Sequence, residues 1–291
     1  MNMINTLNAK TPNILTFDIE GFIESSRDSM CVKDKYISEK LEAEEIEINT
    51  IEILDVLAEF KQKATFFILA RIARDMPLLV KKIAGAGHEI ACHSFYHRRL
   101  FDFTQSETKI FLREAKSLLE DVSGNRVYGF RAPDFSIRSS NIYVLDLLRE
   151  LSFTYDSSIV PTGLHDVYGI NNFSTTPAIL PNGLIEIPLT TVKIFNQNIP
   201  FGGGGYLRIY PFWVTKTFFW AKNRKNTPCT VYLHPYEMGK VIRKIDGIDM
   251  LRRFRTYAGI TSVKEKLRFL LRHFRFVKAI DYIKANRIPE A

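Results

Sequence analysis

The chain has 291 residues, 46% hydrophobic and 25% charged, with 15 glycines and 12 prolines. These proportions exclude a disordered, collagen-like or low-complexity chain, and three scattered cysteines (Cys31, Cys92 and Cys229) exclude a disulfide framework and a Cys-cluster zinc finger and fit a reducing compartment. The net charge of +8 is uneven: residues 240–291 hold 14 Lys/Arg against 5 Asp/Glu, and the remainder sums to −1.

The opening MNMINTLNAK has neither the basic nor the apolar region of a secretory leader, and no apolar run approaches the ~18 residues of a membrane span. The sequence therefore predicts a soluble, cytoplasmic protein. Seven short apolar runs read as strands: Ile14–Phe17, Thr65–Leu69, Glu89–Cys92, Val127–Phe130, Phe153–Tyr155, Ile185–Leu189 and Cys229–Leu233. Helical stripes lie between most of them: Ile48/Ile51/Leu54/Leu57, Leu78/Leu79/Ile83, Leu112/Ala115/Leu118/Leu119 and Ile142/Leu145/Leu148/Leu151, with Phe212–Ala221 before the last strand. Strand alternating with helix predicts an α/β fold with a parallel sheet, and the regular repetition favours a barrel over a doubly wound sheet. Residues 1–239 are expected to form the barrel, and residues 240–291 a basic helical extension packed on or beside it. The acidic segment 34–47 reads as an exposed lead-in to the first helix. Residues 157–182 read as a long functional or mobile loop.

Polar clusters stand at the ends of five predicted strands: Thr16-Phe17-Asp18-Ile19-Glu20, His93 to His97, Arg131-Ala132-Pro133, Asp156-Ser157-Ser158 and His234-Pro235. In a parallel barrel these ends share one face, where active sites are built. His93 and His97, four apart, would project together if the segment turns helically, and a carboxylate would complete an open metal site. Asp18 and Glu20 point to one side of an extended strand, one as ligand and one as proton acceptor. An Asp so placed needs a partner, and a metal or Arg131 would supply it. His234 would lie near the barrel axis. His88 and Cys92 read as structural, His165 as lining the rim, and His273 as part of the basic tail.

Together these clusters resemble the polysaccharide deacetylases of carbohydrate esterase family 4, which include the chitooligosaccharide deacetylases. Gly202-Gly-Gly-Gly-Tyr206 and Leu251-Arg-Arg-Phe-Arg-Thr-Tyr257 extend the likeness to the subgroup associated with exosortase and exopolysaccharide loci. The resemblance implies a distorted (β/α)7 barrel and a metal-dependent N-deacetylase. It casts Asp18 as catalytic base, with Arg131 orienting it, and Glu20, His93 and His97 as metal ligands, Glu20 being displaced by one residue from the family's second acid. It casts His234 as general acid tuned by Asp156. Pro133, Tyr155, Ser157, Gly204 and Tyr206 are expected to line the substrate site, with a backbone N–H near Ser94 or Tyr155 facing the oxyanion. Zn²⁺ is the default metal for such ligands, and Co²⁺, Fe²⁺ or Ni²⁺ would suit them.

The implied substrate is an N-acetylated hexosamine in an oligosaccharide, a polysaccharide or a lipid-linked glycan. Formamide or cyclic-amide hydrolysis and silent glycan binding are the alternatives. Cations mixed with Leu267, Phe269, Leu270, Leu271, Phe274 and Phe276 suit either an interfacial helix on an anionic inner-membrane surface or a helix capping the barrel. No nucleic-acid motif accompanies the basic tail.

Overall fold

All seven residues of β1 (Asn13–Ile19) are buried, as expected of a parallel strand covered on both faces. The computed structural model describes residues 11–25, 39–164, 168–242 and 250–290. In it, β1 runs parallel to β10 (Thr230–Leu233) on one side and to β2 (Thr65–Ile68) on the other. The sheet continues through β3 (Glu89–Cys92), β4 (Gly129–Phe130), β5 (Tyr155–Asp156) and β7 (Ile185–Glu186), all parallel. Each of the seven expected strands is present in this α/β sheet.

Four strands were not anticipated. Within the presumed long loop, β6 (Ala178–Ile179) pairs antiparallel with β7. β8 (Thr191–Ile194) and β9 (Gln197–Pro200) form a separate hairpin. β11 (Phe276–Val277) pairs with the start of β1, so the expected C-terminal extension is in part a strand of the main sheet.

Backbone after the hairpin joins the two sides of the curled sheet. Phe201 N–H donates to Thr190 O (3.1 Å) and Tyr232 N–H to Gly202 O (3.1 Å), while the Thr190 hydroxyl accepts from Thr230 N–H (2.6 Å). A Cβ on Gly203 would stand 2.1 Å from Tyr232 O, and one on Gly202 2.3 Å from Thr230 O. Only glycine lets the chains approach this closely. The first two members of the glycine run thus admit the β10 backbone.

Helices cover the outside: α1 (Glu39–Glu59), α2 (Ala70–Asp75), α3 (Pro77–Gly85), α4 (Gln105–Ser123), α5 (Val144–Glu150), α6 (Gly204–Ile209), α7 (Phe212–Asn223), α8 (Met250–Tyr257), α9 (Ile260–His273) and α10 (Ala279–Ala285). α4 is delimited by local chemistry, a Thr104/Glu107 capping box and a left-handed Gly124 at φ 68°. The expected stripes are partly out of phase: Leu78 is 79% exposed, and in α1 Ile46 and Ile53 face the core while Ile48 is 37% exposed. In the acidic segment, residues 34–38 lie outside the described residues, and Glu42 and Glu45 are buried rather than exposed. Glu42 accepts a hydrogen bond from Glu24 N–H at 2.9 Å. Along α9 and β11, Val263, Leu267, Leu270, Phe274 and Phe276 are buried against the body, which spends the apolar face an interfacial helix would need. Among the described residues, no helix is long and apolar enough to cross a membrane.

Candidate metal centre and active site

β1 delivers Asp18 and Glu20 to the C-terminal end of the sheet, both almost fully buried. Past β3 the chain bends rather than forming the helical turn considered from sequence, with Ser94 at φ 71°. This bend still brings both imidazoles onto one carboxylate oxygen: Glu20 Oε2 lies 3.0 Å from His93 Nε2 and 2.9 Å from His97 Nε2. His93 Nδ1 is 2.7 Å from Arg131 O, and since a carbonyl only accepts, Nδ1 carries the proton. In the neutral ring, Nε2 then presents a lone pair to the carboxylate. Two acceptors at that separation need a proton or a metal ion between them.

Ligand atoms of Glu20, His93 and His97 lie within 4.8 Å of one another. Two imidazole nitrogens and a carboxylate oxygen, with His93 oriented by a backbone carbonyl, fit a divalent metal held by three protein ligands. Without a metal, protons fill the same role. Burial opposes ionisation of Glu20, but the charge of His97 and hydrogen bonds from His93 and His97 hold it well below the usual carboxylate range. Burial likewise disfavours a charged His97, yet Glu20 pushes it up to about 10.

Arg131, fully buried, binds the second carboxylate. Its Nη1 donates to Asp18 Oδ1 (2.6 Å) and Thr16 Oγ1 (2.8 Å), its Nε to Ser157 O (3.0 Å) and its Nη2 to Ser157 Oγ (2.9 Å). The guanidinium carbon also stands 4.1 Å from the Phe67 ring centroid. Ser157, expected at the substrate, is thus committed to holding Arg131.

His234 follows β10 with Nε2 3.4 Å from Glu20 Oε1. Its expected partner was Asp156; the carboxylate on Nδ1 is instead Glu237, at 2.8 Å. Burial acts against a charged ring, but the charge and hydrogen bond of Glu237 raise the His234 pKa. Asp156 accepts from Ser158 N–H (3.0 Å) and the Ser158 hydroxyl (2.6 Å), and that hydroxyl accepts from Ala132 N–H (2.8 Å). Its neighbour is Glu186, whose carboxyl burial and the Asp156 charge push well above the ordinary range. Asp156 therefore fixes the Arg131–Pro133 segment rather than the histidine.

The remaining expected contacts separate. Pro133 opens a turn in which Asp134 and Phe135 take positive φ (52° and 51°). Phe135 packs on Tyr232 at 5.0 Å and Tyr168 at 5.7 Å, and Tyr232 lies 5.7 Å from His234, giving the site an aromatic wall. Gly204 sits on the same wall, where an added Cβ would stand 2.7 Å from the Tyr232 hydroxyl; half-buried Tyr206 hydrogen-bonds to Tyr168. Tyr155 does not face a substrate: it is fully buried, its hydroxyl donates to Glu89 Oε1 (2.9 Å), and its N–H is directed at Tyr128 O. Ser94 N–H is turned onto the Cys92 sulfur, whose thiol burial pushes up to about 12. His88 is structural, accepting from Ala64 N–H at 3.2 Å. His165 lies outside the described residues, and His273 closes α9.

Sequence reasoning missed Glu186 and Glu237, and gave Thr16, though part of the first cluster, no role of its own. For Glu237 the signal is present, a His-Pro-Tyr-Glu run whose fourth residue returns to the first as in a capping box. For Glu186 it is an acid between two isoleucines at a strand end.

Residues 34–155 match the family model described as polysaccharide deacetylase, and residues 157–284 match one described as a domain of unknown function, DUF3473. A chitooligosaccharide deacetylase of Sinorhizobium fredii is 34% identical over 89 residues, which is 31% of this chain and 37% of that protein. The chain spans about a third of the length of the curated relatives it matches. Among solved structures, a Mycobacterium smegmatis protein assigned to the polysaccharide deacetylases superimposes with TM-score 0.64 at 20% identity, covering 98% of this chain and 94% of that one. An allantoinase superimposes with TM-score 0.62 at 15% identity, covering 95% and 90%. Both likenesses support the barrel-type fold. The first half of the chain therefore carries a likeness to the polysaccharide deacetylases, and the second half a likeness to DUF3473.

Proposed function

We propose that this protein is a metal-dependent hydrolase that removes the N-acetyl group from N-acetylhexosamine units of an oligosaccharide, polysaccharide or lipid-linked glycan. The observation that carries this reading is the convergence of Glu20, His93 and His97 with an Arg-paired Asp18 and a Glu-paired His234 at one end of the sheet.

Glu20, His93 and His97 would hold the ion, with Zn²⁺ first among the divalent metals that suit them. When bound, such an ion would supply Lewis-acid chemistry, acidifying water and polarising an amide carbonyl. Asp18 takes the proton from the attacking water. Its partner Arg131 stays charged throughout and leaves Asp18 Oδ2 without a competing bond from the guanidinium. As the C–N bond breaks, His234 gives its Nε2 proton to the leaving nitrogen, and the products are acetate and a free amine. Base and acid are separate groups on separate strands, so the pH profile of turnover is a bell. The aromatic wall of Phe135, Tyr168 and Tyr232 suits the apolar face of a sugar ring or the acetyl methyl.

The test is a panel of N-acetyl- and N-formyl-hexosamine oligosaccharides given to the metal-loaded chain, with His93→Ala as control. Acetate release that is lost in the control supports the reading. Formate release alone would move the activity to a deformylase, and no release from a protein with stoichiometric metal would refute N-deacetylation of these sugars.

A further inference from the structure

We propose that Glu237 is the positioning residue of His234, and that the C-terminal helices hold it through Arg208 and Lys266. This rests on the reading of His234 as the general acid. β10 ends at Leu233, and His234 caps the 3₁₀ turn Pro235–Met238. One oxygen of Glu237, Oε2, accepts both the His234 backbone N–H (3.0 Å) and the ring Nδ1–H (2.8 Å). A single carboxylate thus grips main chain and ring together, and Tyr236 stacks on the imidazole at 4.9 Å and 11°. An ionised carboxylate only accepts, so the proton sits on Nδ1 and Nε2 is the nitrogen left facing the site.

Glu237 is itself fully buried and held from behind. Its Oε1 lies 3.2 Å from Nε of Arg208, on α6, and Arg208 Nη1 donates to Thr256 O in α8. α6 is six residues long, so its final carbonyls need partners from outside the helix. Lys266, on α9 and 4% exposed, supplies them: Nζ donates to Leu207 O (2.8 Å), Arg208 O (2.6 Å) and Tyr210 O (2.6 Å). All three ammonium donors are used, at the helix end that a cation stabilises. A continuous buried path therefore runs from Lys266 to Arg208, to Glu237 and to His234. Part of the basic C-terminal region is built into the site.

The test uses the full chain with ¹⁵N-labelled histidine. The His234 tautomer is read by NMR, and kcat and KM are read on an N-acetylhexosamine oligosaccharide. Glu237→Met keeps the volume but removes the acceptor; the expected result is loss of the Nδ1–H tautomer and a kcat roughly 10²–10⁴-fold lower with KM within about threefold. Glu237→Asp restores part of both. Because Glu237→Met strands the Arg208 charge, a Glu237→Met/Arg208→Met double variant keeps the tautomer readable should the single variant not fold. Lys266→Met lowers kcat in the wild-type background and adds little once Glu237 is gone, the non-additivity expected of one path. A tautomer and kcat unchanged by Glu237→Met would overturn the proposal. If wild-type protein releases no acetate, the tautomer alone decides the positioning claim, and the hydrolytic reading fails separately.

Discussion

The main-chain carbonyl of Arg131 accepts the Nδ1–H of His93 at 2.7 Å while the guanidinium of the same residue binds Asp18 at 2.6 Å. One residue thereby orients a candidate metal ligand and the candidate base, on strands separated in the sheet by β2. Because β4 pairs in register with β3 and β5, with Cys92 opposite Phe130 and Phe130 opposite Asp156, the residue after β4 comes level with His93 on one side and Ser157 on the other.

Removing the guanidinium should therefore strand a buried carboxylate. Arg131→Met is expected to lower unfolding stability in urea by about 3–5 kcal/mol, and adding Asp18→Asn should recover much of it. A loss below about 1 kcal/mol would show that Asp18 has another counter-charge.

The two carboxylates at the end of β1 have different surroundings and should fail differently. Asp18→Asn is expected to cut kcat by roughly 10²–10⁴-fold with metal content unchanged. Glu20→Gln is expected to lose metal and activity together. Metal analysis beside turnover checks this, and loss of metal in Asp18→Asn would exchange the roles.

His88 should make the protein acid-sensitive. Burial, with Lys63 and Lys278 nearby, lowers its pKa from 6.5 to about 4. On acidification through that range the unfolded chain takes up a proton that the folded imidazole refuses, so stability falls with pH. Wild-type protein should lose stability between about pH 6.5 and 4 relative to His88→Asn, measured by urea midpoints. Parallel curves for the two proteins would contradict the assignment.

The seam at Gly203 should behave structurally. A Cβ there would meet Tyr232 O at 2.1 Å, so Gly203→Ala is expected to cost about 1–3 kcal/mol of stability. Unchanged stability with only a raised KM would instead place this glycine at the substrate.

The seven central strands were legible because a parallel strand buried on both faces is a nearly continuous apolar run, as Asn13–Ile19 shows. The β8–β9 hairpin was not, because its turn places Phe195 and Asn196 at φ 44° and 64° without the Asn-Gly or Asp-Gly pair that announces such turns. β11 escaped because two residues carry no period. In the candidate site, residue types at strand ends picked out Asp18, Glu20, His93, His97, Arg131 and His234, which the fold gathers at one end of the sheet. Which carboxylate served which partner was not legible: Asp156 and Glu237 both end up buried near polar partners, and only the turn after β10 decides that Glu237 reaches the imidazole.

The most direct measurement is acetate release from an N-acetylhexosamine oligosaccharide by the same preparation in three forms: zinc-loaded, chelator-stripped, and zinc-loaded Asp18→Asn. The account predicts turnover in the first alone, with zinc still bound in the third. Equal turnover before and after stripping, or in the Asp18→Asn variant, would contradict it.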